Sequence, residues 1–196
     1  MHAVFEYNTD ISRLNLNSKQ IAVLKNSRIV LVGFSGAGKS TIAKKIATHF
    51  NFFVIDTDKM LEERYHISVY DCFEKYGEEI FRQLEYNILK EALEQENVVI
   101  ATGGGAPCFL DAMTLINEKA FSIYIKMASK SLTQRLLNAK VTRPLTKNKN
   151  ETELFEFVTE QMKFREPFYQ RAHFTVKGED IDLSAIFNLP EKNYAK

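Results

Sequence analysis

The chain has 196 residues, which at roughly 100–200 residues per domain is enough for one domain with its own core. Its 26 Lys and Arg nearly cancel its 25 Asp and Glu, and a formal net charge of +1 gives no support to a nucleic-acid scaffold or an anionic-membrane binder. Hydrophobic residues at 45% and charged residues at 26% exclude disorder, collagen-like repeats and coiled coil. Two cysteines, Cys72 and Cys108, are too few for a disulfide framework and are not spaced as zinc ligands, so a reducing compartment is expected. The first residues lack a basic segment leading into an apolar core, and no apolar run approaches the ~18 residues that span a bilayer. The expected location is the cytoplasm.

Residues 1–27 stand apart as an extension of mixed polarity, with at most a short helix capped by Asn17 or Ser18. From Arg28 onward, short apolar runs alternate with longer amphipathic ones, the pattern of a parallel α/β sheet buried on both faces. The spacing predicts strands at 28–32, 52–55, 98–101, 122–125 and 174–176. Between them it predicts helices at 39–50, 59–65, 78–95, 109–118, 129–138 and 151–171. There is no internal repeat, so 28–196 is read as a single domain. The segment from Lys140 to Asn150 carries Lys140, Arg143, Lys147 and Lys149 and reads either as a mobile basic loop or as a solvated surface turn.

The strongest local signal is Gly33-Phe34-Ser35-Gly36-Ala37-Gly38-Lys39-Ser40, which has the P-loop spacing and lies between an apolar strand and an amphipathic helix. Glycines let backbone N–H groups turn toward a phosphate, and the helix N-terminus adds its dipole. Lys39 supplies a point charge and Ser40 a hydroxyl for Mg²⁺. A bound nucleoside triphosphate is expected. The third strand runs into Thr102-Gly103-Gly104-Gly105 without an acid at its end, whereas the second delivers Asp56-Thr57-Asp58. A division of labour between the two carboxylates is expected, one serving a metal and one an acceptor. The alternative is a helix N-cap followed by a first-turn acid. The three glycines either form a plain turn or bring bare amides close to a ligand. Arg82 and Arg165 fall in predicted helices, where an arginine is most often solvated or ion-paired, and Glu85 is spaced to pair with Arg82.

Taken together, Gly33 to Thr41, Asp56-Thr57-Asp58, Gly77 to Glu85, Thr102 to Gly105, Arg143-Pro144-Leu145 and Arg165 to Tyr169 resemble the shikimate kinases. These are small P-loop kinases of the nucleoside-monophosphate-kinase-like group, and the likeness runs from about Arg28 to Val176. It implies a three-layer α/β/α fold with a five-stranded parallel sheet in the order 2-3-1-4-5. It implies ATP on Gly36, Ala37, Gly38, Lys39, Ser40 and Thr41, and Mg²⁺ on Ser40 and, through water, Asp56. Asp58 would contact the acceptor hydroxyls, Arg82 and Arg165 the substrate carboxylate, and Gly104 and Gly105 would offer amides. Phe73 and Phe81 would line the pocket, Glu85 would join the substrate side, and Arg143 would sit on a lid over the phosphates. Lys39, Asp58 and Arg143 are thus the catalytic candidates.

The implied reaction moves the ATP γ-phosphoryl group to the 3-hydroxyl of shikimate. The expected partners are shikimate and ATP, with no nucleic acid and no membrane, on a monomer. A gluconate or nucleoside-monophosphate kinase shares the P-loop and the lid, but Asp58, Arg82, Gly104 and Arg165 suit a polyhydroxy ring with one carboxylate. A nucleotide-binding module without chemistry would need a missing catalytic part, and Lys39, Asp56, Asp58 and Arg143 are all present. Two departures from the family pattern stand out: the extension at 1–27, and Lys177-Gly178-Glu179-Asp180 where many members carry an arginine against the adenine, which leaves Arg135 as a candidate there.

Overall fold

The computed structural model describes residues 27–139, 149–181 and 183–187. The extension before Ser27 and most of the expected lid, Arg143 included, lie outside the described residues. Five parallel strands, β1 (Arg28–Val32), β2 (Phe53–Asp56), β3 (Val98–Ala101), β4 (Phe121–Lys126) and β5 (Phe174–Lys177), form one sheet in the order β2-β3-β1-β4-β5. That is the expected fold. The central strands read Ile-Val-Leu-Val and Val-Val-Ile-Ala because both of their faces are covered: Ile29 to Val32 and Val98 to Ala101 are fully buried or nearly so. β2 departs from that expectation. It is an edge strand, and Phe53 and Val54 remain exposed.

The helices are α1 (Lys39–Phe50), α2 (Thr57–Tyr65), α3 (Val69–Ala92), α4 (Ala112–Lys119), α5 (Ser129–Leu137), α6 (Glu151–Tyr169) and a last short turn, α7 (Ser184–Phe187). α3 starts earlier than its sequence pattern indicates. Ser68 caps it by accepting from the Asp71 N–H at 3.0 Å, and Gly77 interrupts it with φ 76° and ψ 172°. The break hides the first turns, since no single 3.6-residue period runs through a residue outside helical φ/ψ. α6 opens with a reciprocal cap, in which Asn150 accepts from the Glu153 N–H and Glu153 accepts from the Asn150 N–H.

Register places the site. Arg28 and Phe53 both pair with Val98, and Leu31 and Asp56 both pair with Ala101, so β1, β2 and β3 end side by side. The phosphate loop, the Asp56 to Asp58 segment and the triple glycine therefore leave the sheet at one edge. This is the crevice where ligands gather in open parallel sheets. A satellite core of Leu61, Cys72, Phe81 and Ile88, joined by Phe73, holds α2 and α3 together as the outer wall of that crevice.

Candidate active site

Gly36 and Gly38 take φ values of 86° and 92°, in the left-handed region that favours glycine, and Gly38 forms the N-cap of α1. The loop can then wrap its backbone around an anion at the helix start. Ala37 is buried beneath it, and Lys39 is almost buried. The Lys39 ammonium spans the loop, donating to the Gly33 carbonyl at 2.7 Å and the Phe34 carbonyl at 2.9 Å. Ser40 and Thr41 lie exposed on the first turn of α1.

Ser40 Oγ donates to Asp56 Oδ2 at 2.6 Å, which brings the P-loop hydroxyl against a carboxylate from the neighbouring strand. The other Asp56 oxygen caps α2 by accepting from the Lys59 N–H at 3.4 Å. The sequence alternatives for Asp56 thus coexist: one oxygen caps the helix and the other faces the phosphate loop. The segment does not stay extended: helix begins at Thr57, so Asp56 is its N-cap and Asp58 its first-turn acid. Asp58 lies against the triple glycine, together with Glu85. A Cβ added to Gly103 would lie 2.5 Å from Asp58 Oδ1 and 2.6 Å from Glu85 Oε1.

The triple glycine runs through the middle of the crevice, and close approach explains its composition. A Cβ at Gly104 would meet Ser35 Oγ at 2.6 Å and the Ser35 nitrogen at 2.9 Å; one at Gly105 would meet Arg82 Nη1 at 2.5 Å. Gly103 N–H donates to the buried Thr57 hydroxyl at 3.0 Å, and the Gly105 carbonyl accepts from Cys108 N–H at 2.8 Å. Among the described residues, the Gly104 and Gly105 N–H groups have no protein acceptor.

Arg82 and Arg165 are 9% and 5% exposed, values unusual for solvated helix arginines. Arg82 donates to Glu85 Oε2 at 2.7 Å and to Glu78 Oε1 at 3.0 and 3.2 Å, and its guanidinium carbon lies 4.0 Å from the centroid of the Phe109 ring. Arg165 donates to Gln161 at 2.8 Å and sits 5.2 Å from the Phe34 ring centroid, while its Nε is buried without a partner among the described residues. Burial pushes the Glu85 carboxyl up to about 7. Arg82 pulls it down, and the nearby Asp58 charge raises it further. Phe73 and Phe81 meet edge to face at 5.5 Å, with Arg82 against the Phe81 ring.

A family model for shikimate kinase matches residues 35–189. The chain is 43% identical over 154 residues to a shikimate kinase of Parabacteroides distasonis, covering 79% of this chain and 89% of that protein. The chain belongs to the shikimate kinase family. The solved shikimate kinase of Bacteroides thetaiotaomicron superposes with a TM-score of 0.77 at 40% identity, over 80% of this chain and 89% of that one. The Acinetobacter baumannii shikimate kinase, solved in complex with shikimate, gives a TM-score of 0.76 at 27% identity, over 87% and 98% of the two chains.

Arg135 donates to the carbonyls of Ala37 and Gly178 at 3.4 and 3.2 Å, bridging the phosphate loop to the segment after β5. Glu179 accepts from the Ala128 N–H at 2.7 Å and caps α5 from outside, and that bond holds its carboxyl below the ordinary range. Sequence reasoning left Glu179, Thr57, Phe109 and Tyr169 without roles. A cap supplied from 51 positions away and a hydroxyl facing a glycine 46 positions away leave no periodic trace.

Proposed function

We propose that this chain transfers the γ-phosphoryl group of ATP to the 3-hydroxyl of shikimate, giving ADP and shikimate 3-phosphate. The observation that carries this reading is the acceptor wall. Beside the uncommitted amides of Gly104 and Gly105, the buried Arg82 lies against Gly105 and Asp58 against Gly103, while the buried Arg165 guanidinium sits over the Phe34 ring of the phosphate loop. Forked donors match a carboxylate, amides and an acid match ring hydroxyls, and the set as a whole suits a polyhydroxy ring bearing one carboxylate.

In the reaction Asp58 orients the 3-hydroxyl and takes its proton as the new O–P bond forms and the bond to the ADP oxygen breaks. Lys39 exchanges its contacts with the Gly33 and Phe34 carbonyls for the phosphate oxygens. Most of the acceleration comes from alignment and from fixed positive charge facing the transferring group. The oxygen pair of Ser40 and Asp56 fits Mg²⁺, which takes hard oxygen ligands and fills its remaining positions with waters and phosphate oxygens. Such an ion needs no cluster of three protein ligands, and the described residues offer none. Ser40, and Asp56 through water, would hold such an ion, which would supply positive charge against the triphosphate. Arg143, which lies outside the described residues, is assigned by sequence to the lid over those phosphates.

The protein is proposed to work as a cytoplasmic monomer; no helix among the described residues is long and apolar enough to cross a membrane. The test is ADP release with Mg·ATP and, separately, shikimate, quinate, gluconate, AMP and CMP. Shikimate alone should give robust turnover. Faster turnover with gluconate or a nucleotide would overturn the acceptor assignment and leave the phosphate site standing.

A further inference from the structure

The peptide joining Gly104 to Gly105 is one of two in the crevice with glycine on both sides. Neither flanking residue has a Cβ, so the ψ of Gly104 and the φ of Gly105 can turn together and reverse the peptide plane. Its neighbours are tied down, Gly103 by its N–H to Thr57 and Gly105 by its carbonyl to Cys108 N–H. Neither tie fixes the plane between them. That plane is held by one bond among the described residues: the Tyr169 hydroxyl donates to the Gly104 carbonyl.

We propose that Tyr169 is a positioning residue of the acceptor site, its hydroxyl locking the Gly104–Gly105 peptide so that the Gly105 N–H stays aimed at the substrate. The peptide is trans, as all are in the described chain, so its carbonyl and N–H point in opposite directions. Fixing the carbonyl on the Tyr169 side fixes the N–H on the other. Tyr169 is well suited to hold it. It is the last residue of α6, fully buried, and its ring packs 5.3 Å from that of Tyr124. Burial keeps its phenol protonated, and so a donor, far above the ordinary tyrosine range, with the Cys108 thiol and the Arg165 guanidinium as the charged or titratable groups beside it. α6 thus serves the substrate twice, through Arg165 directly and, one helical turn later, through Tyr169 and the glycine loop.

The proposal rests on the shikimate reading, so the test starts from the acceptor that the untouched protein turns over. Tyr169→Phe keeps the ring in its cavity and removes the hydroxyl. With folding verified by thermal unfolding, KM for shikimate should rise about fivefold to tenfold, the effect of one lost hydrogen bond, while KM for ATP stays within twofold. Tyr124→Phe, which removes a buried hydroxyl from the packed partner ring, should leave both KM values unchanged. If Tyr169→Phe leaves KM for shikimate unchanged, or raises both KM values alike, Tyr169 only fills space and the proposal falls. A second measurement needs no variant. The Gly105 amide of the free protein should give one sharp NMR resonance that moves with shikimate, and a doubled or exchange-broadened signal would overturn the lock. Should the untouched protein prefer another acceptor, that outcome strikes the acceptor assignment, and the Tyr169→Phe ratio measured with the preferred acceptor still decides the role of Tyr169.

Discussion

The proposed nucleotide wall of the crevice is a single run, Gly33 to Ser40, whose work would fall mainly to backbone geometry: positive φ at Gly36 and Gly38, a helix start, and one lysine laid across the loop. The proposed acceptor wall collects Asp58, Arg82, Glu85, Gly104, Gly105, Arg165 and Tyr169 from separate elements, and its work would fall mainly to buried polar and charged side chains. A contiguous backbone device tolerates exchange of most of its side chains, since the phosphate meets N–H groups. A dispersed side-chain device does not, because each buried charge left without a partner costs several kcal/mol. Damage to the two walls should therefore differ in kind as well as in size.

The largest effect is expected at the residue where the walls meet. Asp58→Asn keeps the shape and removes the proton acceptor, so kcat should fall by about 10²-fold or more while KM for ATP changes little. Steady-state kinetics with shikimate and ATP varied in turn would check it. A near-normal kcat would reduce Asp58 to a first-turn acid of α2 and leave the acceptor wall without a base.

The next effect separates the two arginines, which the family resemblance treats alike. Replacing either by lysine keeps charge and loses the fork, at a cost of about 1.5–3 kcal/mol for a hydrogen bond to a charged group, or roughly tenfold or more in KM for shikimate. They should not be equal. Arg82 already spends its nitrogens on Glu78 and Glu85, and a lysine there can still pair with Glu85. Arg165 donates from Nη2 to the neutral Gln161 and has no ion pair among the described residues, so more of its charge is left for a carboxylate. Arg165→Lys should thus raise KM for shikimate more than Arg82→Lys, and the reverse order in kinetic assays would show that the carboxylate leans on Arg82.

The same contrast explains what the sequence made legible. All five strands and the positions of α1, α5 and α6 follow from apolar runs and caps, because a parallel sheet writes its burial into consecutive residues. The first turns of α3 escape because Gly77 breaks the period, and the sequence leaves open whether Asp58 sits on a strand end or a helix start, which the cap at Asp56 resolves as the first turn of α2. The phosphate loop was readable from spacing alone. Arg82 and Arg165 were ambiguous, since helical position says nothing about burial, and only the ordered set of family motifs separated them from surface arginines. Tyr169 carried no signal because its meaning lies in a carbonyl 65 positions away.

The smallest kinetic change, and the one that tests how the acceptor wall stays charged, is expected at Glu85. Its carboxyl titrates near 7 in the folded protein, against an ordinary value of 4.5 for the unfolded chain. Between those values the folded state holds a proton that the unfolded state has already released. Stability therefore falls as pH rises from 4.5 to 7 and levels off above, by up to about 3 kcal/mol from this group alone. Glu85→Gln removes the titration while keeping a hydrogen-bonding oxygen for Arg82. Denaturant unfolding of the ligand-free protein at pH 5, 6, 7 and 8 should show a flatter profile for Glu85→Gln, with the two proteins most alike at the acid end, where Glu85 is already neutral. Shikimate turnover at pH 6 should change only a few-fold, because the protonated acid and the amide present similar groups to Arg82. Parallel stability profiles for the two proteins would mean that Glu85 stays ionised in the fold, paired with Arg82 throughout, and that the acceptor wall pays for its buried charges at every pH.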